Sequence, residues 1–520
     1  MASVDHTRSL SAHQIDGPQA EVAKNSRLVL AIFLICILMP IAKEVAGLRM
    51  SPSRLFLLMA AVPLAVQCLG GKFGRVTLVD WLMVFHGLWI FISLIAVHGT
   101  SVMPFAGITM VELTGGYFVG RAYVRNSDDY RFIFKFLLIA LIINIPLALV
   151  ENLTAKLIIP DLLRPVFETP TRDYSARGRI GLERVQGVFD HPILWGMFCS
   201  LTFANFIMSL RGSNAMRLAA IILSMWSTMI SLSSGPMLAL LLQTCLLLWG
   251  RITNGRWLLC LILAISGYVV IDLVSDRTPI RILISYAAFN SLSAYTRLAQ
   301  FDWGLMTIQN NPLFGIGLND WVRPNWVGGS VDNFWLLTGM RYGAAAFFSI
   351  FGAFVVHLWF GAHAKLADPE NKRLRVGHLV ALIAMSFVLI TVHIWGNVSI
   401  FVVFYIGAGA WIYTSPHLAA EEVDTEEVDT KERDIDATGG TARRDAGLTY
   451  TRFAHTKSRR QSDDQDEIGS DDDTGVLRRS RGKFETPTRK HIAAGAETTH
   501  ARPRDGELWA RDFSDEKRRD

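Results

Sequence analysis

Between residues 28 and 414 the chain passes again and again through long stretches that carry almost no charge. Crossing the roughly 30 Å hydrocarbon layer of a bilayer takes about 20 apolar residues in helical form. Fewer suffice where neighbouring helices or local thinning help. Twelve windows meet that need, near 28–42, 55–69, 78–97, 104–120, 132–150, 192–210, 217–233, 235–250, 257–275, 332–360, 376–394 and 398–414. In lipid every backbone polar group must be satisfied within its own segment, so such windows are expected to be helices. The expected fold is all-α, a polytopic membrane protein with about 12 transmembrane helices. The first two windows are the shortest. Around Ser233-Ser234-Gly235-Pro236 the chain reads either as a tight turn between two helices or as one kinked helix.

With 51% hydrophobic residues, 14 Trp and a mean hydropathy of +0.30, the composition agrees. The 19% of charged residues looks high for this class. However, nearly half of the Asp, Glu, Lys and Arg residues lie after Tyr413. The chain thus divides into a segment 1–27, a membrane domain 28–414 and a polar tail 415–520. The tail repeats EEVDT directly at 421–430 and has too few large apolar residues to offset its chain entropy, so disorder is expected there. A net charge of +5, with no basic groove interleaved with aromatics, excludes nucleic acid as a partner class. Cys36, Cys68, Cys199, Cys245 and Cys260 all fall inside apolar windows, without a CxxC pair. They read as small buried side chains rather than as a disulfide frame or zinc site.

Lys and Arg in short loops are retained in the cytoplasm. Arg121, Arg125 and Arg131, then Arg211 and Arg217, then Arg251 and Arg256, then Lys365, Lys372, Arg373 and Arg375 share one face under the twelve-helix count. That face and both termini are expected to be cytoplasmic. Lys43, Arg49 and Arg54 violate the rule. No small-residue cleavage site follows the first apolar run, which is expected to stay as an anchor. Two outer loops are long, 151–191 and 276–331, and long loops usually carry function. They hold Arg164, Arg172, Arg177, Arg179 and Arg184, then Arg277, Arg281, Arg297 and Arg323, which points to an anionic ligand outside.

Three stretches carry candidate chemistry. In RVQGVFDHPILWG, 184–196, Asp190 is a plausible helix cap and Pro192 fits the first helical turn. That grammar does not require Arg184, Gly187 or His191. In YTRLAQFDWGLMTIQNNPLFGIGLNDW, 295–321, apolar spacing predicts an amphipathic helix ending at Asn310-Asn311-Pro312. It carries Arg297 to the membrane surface, where a guanidinium can grip phosphate oxygens in fork geometry. The Gly315-Ile316-Gly317 that follows is a turn, because no strand precedes it to make a dinucleotide fingerprint. In GGSVDNFWLLTGMRYG, 328–343, Asp332 and Asn333 stand where they would cap the tenth helix. A carboxylate at that place is also where a general base would serve.

In this order on a twelve-helix frame, the stretches resemble the O-antigen ligase and polysaccharide polymerase superfamily. The matching residues are Arg184, Gly187, Phe189, His191 and Pro192; Arg297 with Asn311-Pro312-Leu313-Phe314-Gly315-Ile316-Gly317; and Asp332-Asn333 with Gly343. Asp332 stands where ligases of the family have His, which is more compatible with an exopolysaccharide polymerase. The resemblance implies a glycosyltransferase of the bacterial inner membrane, needing no metal or other cofactor. Its donor would be a polyprenyl-pyrophosphate-linked glycan and its acceptor a second glycan. Arg184 and Arg297 would hold the pyrophosphate, Asp332 would activate or position the acceptor, and His191, Asn333, Gly187 and Gly343 would support them. Membrane lipid and other polysaccharide assembly proteins are the further partners implied. An O-antigen ligase using lipid A core as acceptor is one alternative. A flippase for lipid-linked oligosaccharides is another, since Glu112, His86, His357 and His393 lie in or near apolar windows.

Overall fold

The structure, a computed structural model, describes residues 18–45, 48–171, 178–179, 181–286 and 291–414. The expectations for the tail 415–520 and for Arg172 and Arg177 lie outside the described residues. The chain is helical, in the order α1 (Pro18–Leu38), α2 (Pro52–Leu69), α3 (Leu78–His98), α4 (Met103–Tyr123), α5 (Ser127–Thr154), α6 (Ile158–Leu163), α7 (Pro192–Ser209) and α8 (Asn214–Met229). It continues with α9 (Ser234–Ile252), α10 (Trp257–Val274), α11 (Pro279–Tyr286), α12 (Ser291–Asn310), α13 (Phe334–His363), α14 (Pro369–Val388), α15 (Gly396–Gly409) and α16 (Trp411–Thr414). Each apolar window overlies one helix. Among the described residues nine spans are long and apolar enough to cross a membrane: α2, α3, α4, α5, α7, α9, α10, α13 and the α15–α16 stretch. The other three windows fall on α1, whose apolar part is only Asn25–Leu38, on α8 with 16 residues, and on α14, which opens with Glu370, Lys372, Arg373 and Arg375. The Ser233–Pro236 ambiguity resolves as a turn between α8 and α9, with Leu232 at a positive φ of 46°.

A two-stranded hairpin, β1 (Lys43–Val45) and β2 (Leu48–Met50), between α1 and α2 was not foreseen, nor were the short helices α6 and α11. Ala42 and Glu168 exchange backbone hydrogen bonds of 2.8 and 2.9 Å, which ties this hairpin to the first long loop. Here two of the residues that defied the charge rule, Arg49 and Arg54, find acidic partners. Arg54 meets Glu112 with two hydrogen bonds of 2.6 and 3.2 Å, and Arg49 lies 3.9 Å from Glu168.

The core forms where helices can approach closely. α4 packs against α2, α3 and α15. A side chain at Gly116 or Gly120 would strike backbone atoms of Ile400 or Phe404, and one at Gly407 would strike Tyr117. Small residues spaced by four thus let α4 and α15 pack backbone to backbone, where lipid offers no hydrophobic drive of its own. α7 is similarly enclosed by α8, α9 and α14. α10 has no buried residue at all. The two long loops, the hairpin and the 389–395 connection meet at one end of the molecule, through Ala42 with Glu168, Val185 with Ile230, Phe334 with Leu389, and Leu318 with His98. At the other end Arg121 donates to the Phe73 and Arg75 carbonyls and pairs with buried Asp80 at 3.2 Å, while Arg131 and Arg211 share Glu370.

Candidate functional site

The first motif is held from below by α5. The Glu151 carboxylate, buried in the last turn of that helix, accepts from the backbone N–H groups of Gln186 (2.8 Å) and Gly187 (3.0 Å). A buried carboxylate satisfied by two backbone donors fixes a loop that has no regular structure of its own. Gly187 has φ +58°, and a Cβ there would sit 2.5 Å from the Trp195 ring. The supporting role expected of Gly187 is therefore one of backbone shape. From this loop Arg184, buried, donates to the Ser231 carbonyl (3.3 Å) and the Ser233 hydroxyl (2.8 Å). Arg179 reaches the same turn, donating to the Leu232 carbonyl at 2.8 Å.

Asp190 does not cap α7. The cap is His191, whose Nδ1 accepts the Ile193 N–H at 3.1 Å. The reason is geometric: Pro192 occupies the first helical position, so the residue just before it takes the extended cap conformation. The His191 ring lies 5.9 Å from that of Trp395. Asp190 is left facing a cleft.

The second and third motifs form one unit. Asn333 alone caps α13, accepting from Leu336 N at 2.9 Å; Asp332 does not cap, and its carboxylate lies 3.7 Å from Arg297 on α12. Gln300, one helical turn beyond Arg297, accepts the Asp332 N–H (3.1 Å) and donates to the Ser330 carbonyl (2.8 Å). Arg297 is nearly buried, and its Nε and Nη1 make no hydrogen bond. Arg179 is close enough to feel it: burial first, and then the Arg297 charge, lower the Arg179 pKa from its ordinary value. Arg179 and Arg184 thus meet at the 231–233 turn, and Arg179 feels the charge of Arg297 from the second long loop.

α13 is broken at Gly343, where φ is +81° and ψ is 175°. The Asn311–Gly317 loop fills the break. Ile316 and Gly317 donate to the Met340 and Arg341 carbonyls (2.8 and 2.9 Å), and Ala344 donates to the Pro312 carbonyl (2.8 Å). A Cβ at Gly343 would overlap the Leu313 carbonyl. The glycine and the preceding loop are therefore two halves of one joint. Half-buried Arg341 stands beside it. Burial, with the Arg341 charge second, pushes the pKa of His393 in the 389–395 connection down to about 3.

The cleft lies between the α1–α2 segment, the first long loop and the start of α15, and opens to solvent. Its polar lining is Arg49, Ser51, Arg54, Glu112, Asp190 and Asn397. None of the residues expected to be catalytic lines it. Arg297 and Asp332 are paired with each other, Arg184 is turned onto the 231–233 turn, and His191 faces Trp395. Sequence reasoning missed Glu151 and Arg341 as site-forming residues, and named Glu112 only as a sign of a flippase. A lone acid in the last turn of the otherwise apolar α5 was the available signal for Glu151. Among the described residues no group of three or more His, Cys, Asp or Glu side chains gathers as a metal would require. No protein-family model and no curated protein matches the chain.

Proposed function

We propose that this protein transfers a glycan from a polyprenyl-diphosphate carrier to an acceptor hydroxyl, at the outer face of a bacterial inner membrane, as an exopolysaccharide or O-antigen polymerase does. The observation that carries the reading is Arg297: a nearly buried guanidinium with two nitrogens that hydrogen-bond nothing, close to Arg179. Burying N–H groups without acceptors is costly. A diphosphate would supply those acceptors in fork geometry and offset the repulsion between the cations. As the glycosidic bond breaks, negative charge grows on the leaving diphosphate, and preplaced guanidiniums stabilise it. Asp332, beside Arg297 and 44% exposed in its side chain, is placed to orient an arriving acceptor. Transfer to a lipid A core, as a ligase performs it, would use the same donor contacts.

The broken α13 favours a second reading, a flippase for lipid-linked sugars, because interrupted helices line many carrier sites. Against it, the backbone groups freed at Gly343 are already bonded to the Asn311–Gly317 loop. The test is reconstitution of the full chain in proteoliposomes with a polyprenyl-diphosphate-linked oligosaccharide and no nucleotide. The transferase lengthens the glycan, and Arg297→Ala slows this by roughly 100-fold, the scale of losing a transition-state charge contact. Carrier crossing without a new glycosidic bond would instead establish the flippase.

A further inference from the structure

We propose that the cleft lined by Arg49, Arg54, Glu112 and Asp190 is a subsite for a neutral saccharide, with the Asp190 carboxylate accepting a hydrogen bond from a sugar hydroxyl. Charge balance is the first reason. Two guanidiniums and two carboxylates line this cleft, whereas Arg179 and Arg297 stand outside it as a basic group. A diphosphate would be drawn to the basic group and repelled by Asp190. A cationic ligand would be repelled by Arg49 and Arg54. What remains is an uncharged ligand that both donates and accepts, and hydroxyl groups do both.

The state of Asp190 is the second reason. Its expected duty as a helix cap is done by His191. Glu112 already engages Arg54 with two hydrogen bonds, and Arg49 leans toward Glu168. Among the described residues Asp190 has neither a hydrogen-bond donor nor an ion-pair partner. Burial raises its pKa, and only the more distant charges of Arg49 and Arg54 pull it back. A half-buried carboxylate without a donor is costly to keep, and a hydroxyl from a ligand relieves that cost.

Shape is the third. Small-molecule sites combine apolar walls with a few placed polar groups, and this cleft has both. Met39, Pro40 and Ile41 supply apolar surface for the C–H groups of a sugar ring, and Arg49, about half exposed, supplies donors at the rim. Gly396, with φ +57°, borders Asp190: a Cβ there would sit in ordinary contact, 3.6 Å from its Oδ2. As the seat of the acceptor glycan the subsite rests on the transfer reading, but sugar binding can be measured without any transfer.

The full chain in lipid nanodiscs would be studied by saturation-transfer difference NMR with the methyl glycosides of glucose, galactose, mannose and N-acetylglucosamine. At least one glycoside is expected to bind, and Asp190→Asn to weaken it about tenfold or more, the loss typical of a hydrogen bond to a charged group. Inorganic pyrophosphate should not compete, and Arg297→Ala should bind the glycoside like the parent. Should Asp190→Asn fail to fold, Arg49→Gln, at an exposed rim position, is expected to weaken binding in its place. Absence of any glycoside signal, binding unchanged in both variants, or displacement by pyrophosphate would each overturn the subsite. Intact glycoside binding in a protein that performs no transfer would sink only the catalytic reading.

Discussion

Arg297 and Asp190 are a cation and an anion that the fold keeps at some expense, and both can be tested as such. Two Arg297 nitrogens, Nε and Nη1, lack acceptors, while its neighbour Asp332 stays partly hydrated. Replacing a buried, poorly satisfied charge with an aliphatic chain of similar length is often neutral or stabilising. Arg297→Met is therefore expected to hold or raise the melting temperature by scanning fluorimetry while abolishing transfer. Arg297→Lys should also lose most activity, because an ammonium cannot reproduce the fork. A drop of many degrees in either variant would mark Arg297 as a structural residue. For Asp190, burial raises the folded-state pKa above the unfolded value near 3.9. Below about pH 3.9 the group is protonated in both states and imposes no penalty. The penalty grows as pH rises through the folded pKa and is complete above it. Asp190→Asn, which cannot ionise, should melt higher than the parent at neutral pH, with the gap closing as pH falls into the acid range. An equal gap at every pH would refute the burial argument.

The joint of α13 with the Asn311–Gly317 loop depends on one missing methyl group. Gly343→Ala would force a side chain into a positive-φ position and against the Leu313 carbonyl, costing about 3 kcal/mol or more. The expected outcome is a large fall in melting temperature; a parent-like melt would mean that the break is not rigid. Glu151→Ala would strip two backbone N–H groups in the first long loop of their acceptor, at about 2–3 kcal/mol. Transfer should fall with it, although Glu151 touches neither proposed ligand. The sequence made the helices legible because lipid-spanning segments are long and nearly uncharged, and every window lies on one. It also placed the end of α12 at Asn310, through the Asn-Asn-Pro stop. The α7 cap was misplaced by one residue, at His191 instead of Asp190, and of the Asp332-Asn333 pair expected to cap α13 only Asn333 does so, because Asp and its neighbour compete for the same extended position. The hairpin and the α13 break were not legible. Three-residue strands leave no period, and a lone glycine in an apolar run does not tell which loop will fill the gap it makes.

At the scale of the whole molecule, the functional reading requires both long loops to share the outer side. α10 decides this. It runs 18 residues from Trp257 to Val274, roughly 27 Å at 1.5 Å per residue, enough for a hydrocarbon layer. It buries none of its apolar side chains in the protein, so lipid must cover them. The residues just before and just after it should therefore stand on opposite sides of the membrane. With the five native cysteines changed to alanine, single cysteines would be placed at Arg256, Asp276 and Asp161. In intact cells a membrane-impermeant maleimide is expected to label Asp276→Cys and Asp161→Cys, and Arg256→Cys only after lysis. Co-labelling of the first two checks independently that α7 through α10 return the chain across the bilayer the right number of times. If Asp276→Cys and Asp161→Cys were protected while Arg256→Cys reacted, the guanidinium group would face the cytoplasm. A lipid-diphosphate donor presented on the outer side would then never reach Arg297.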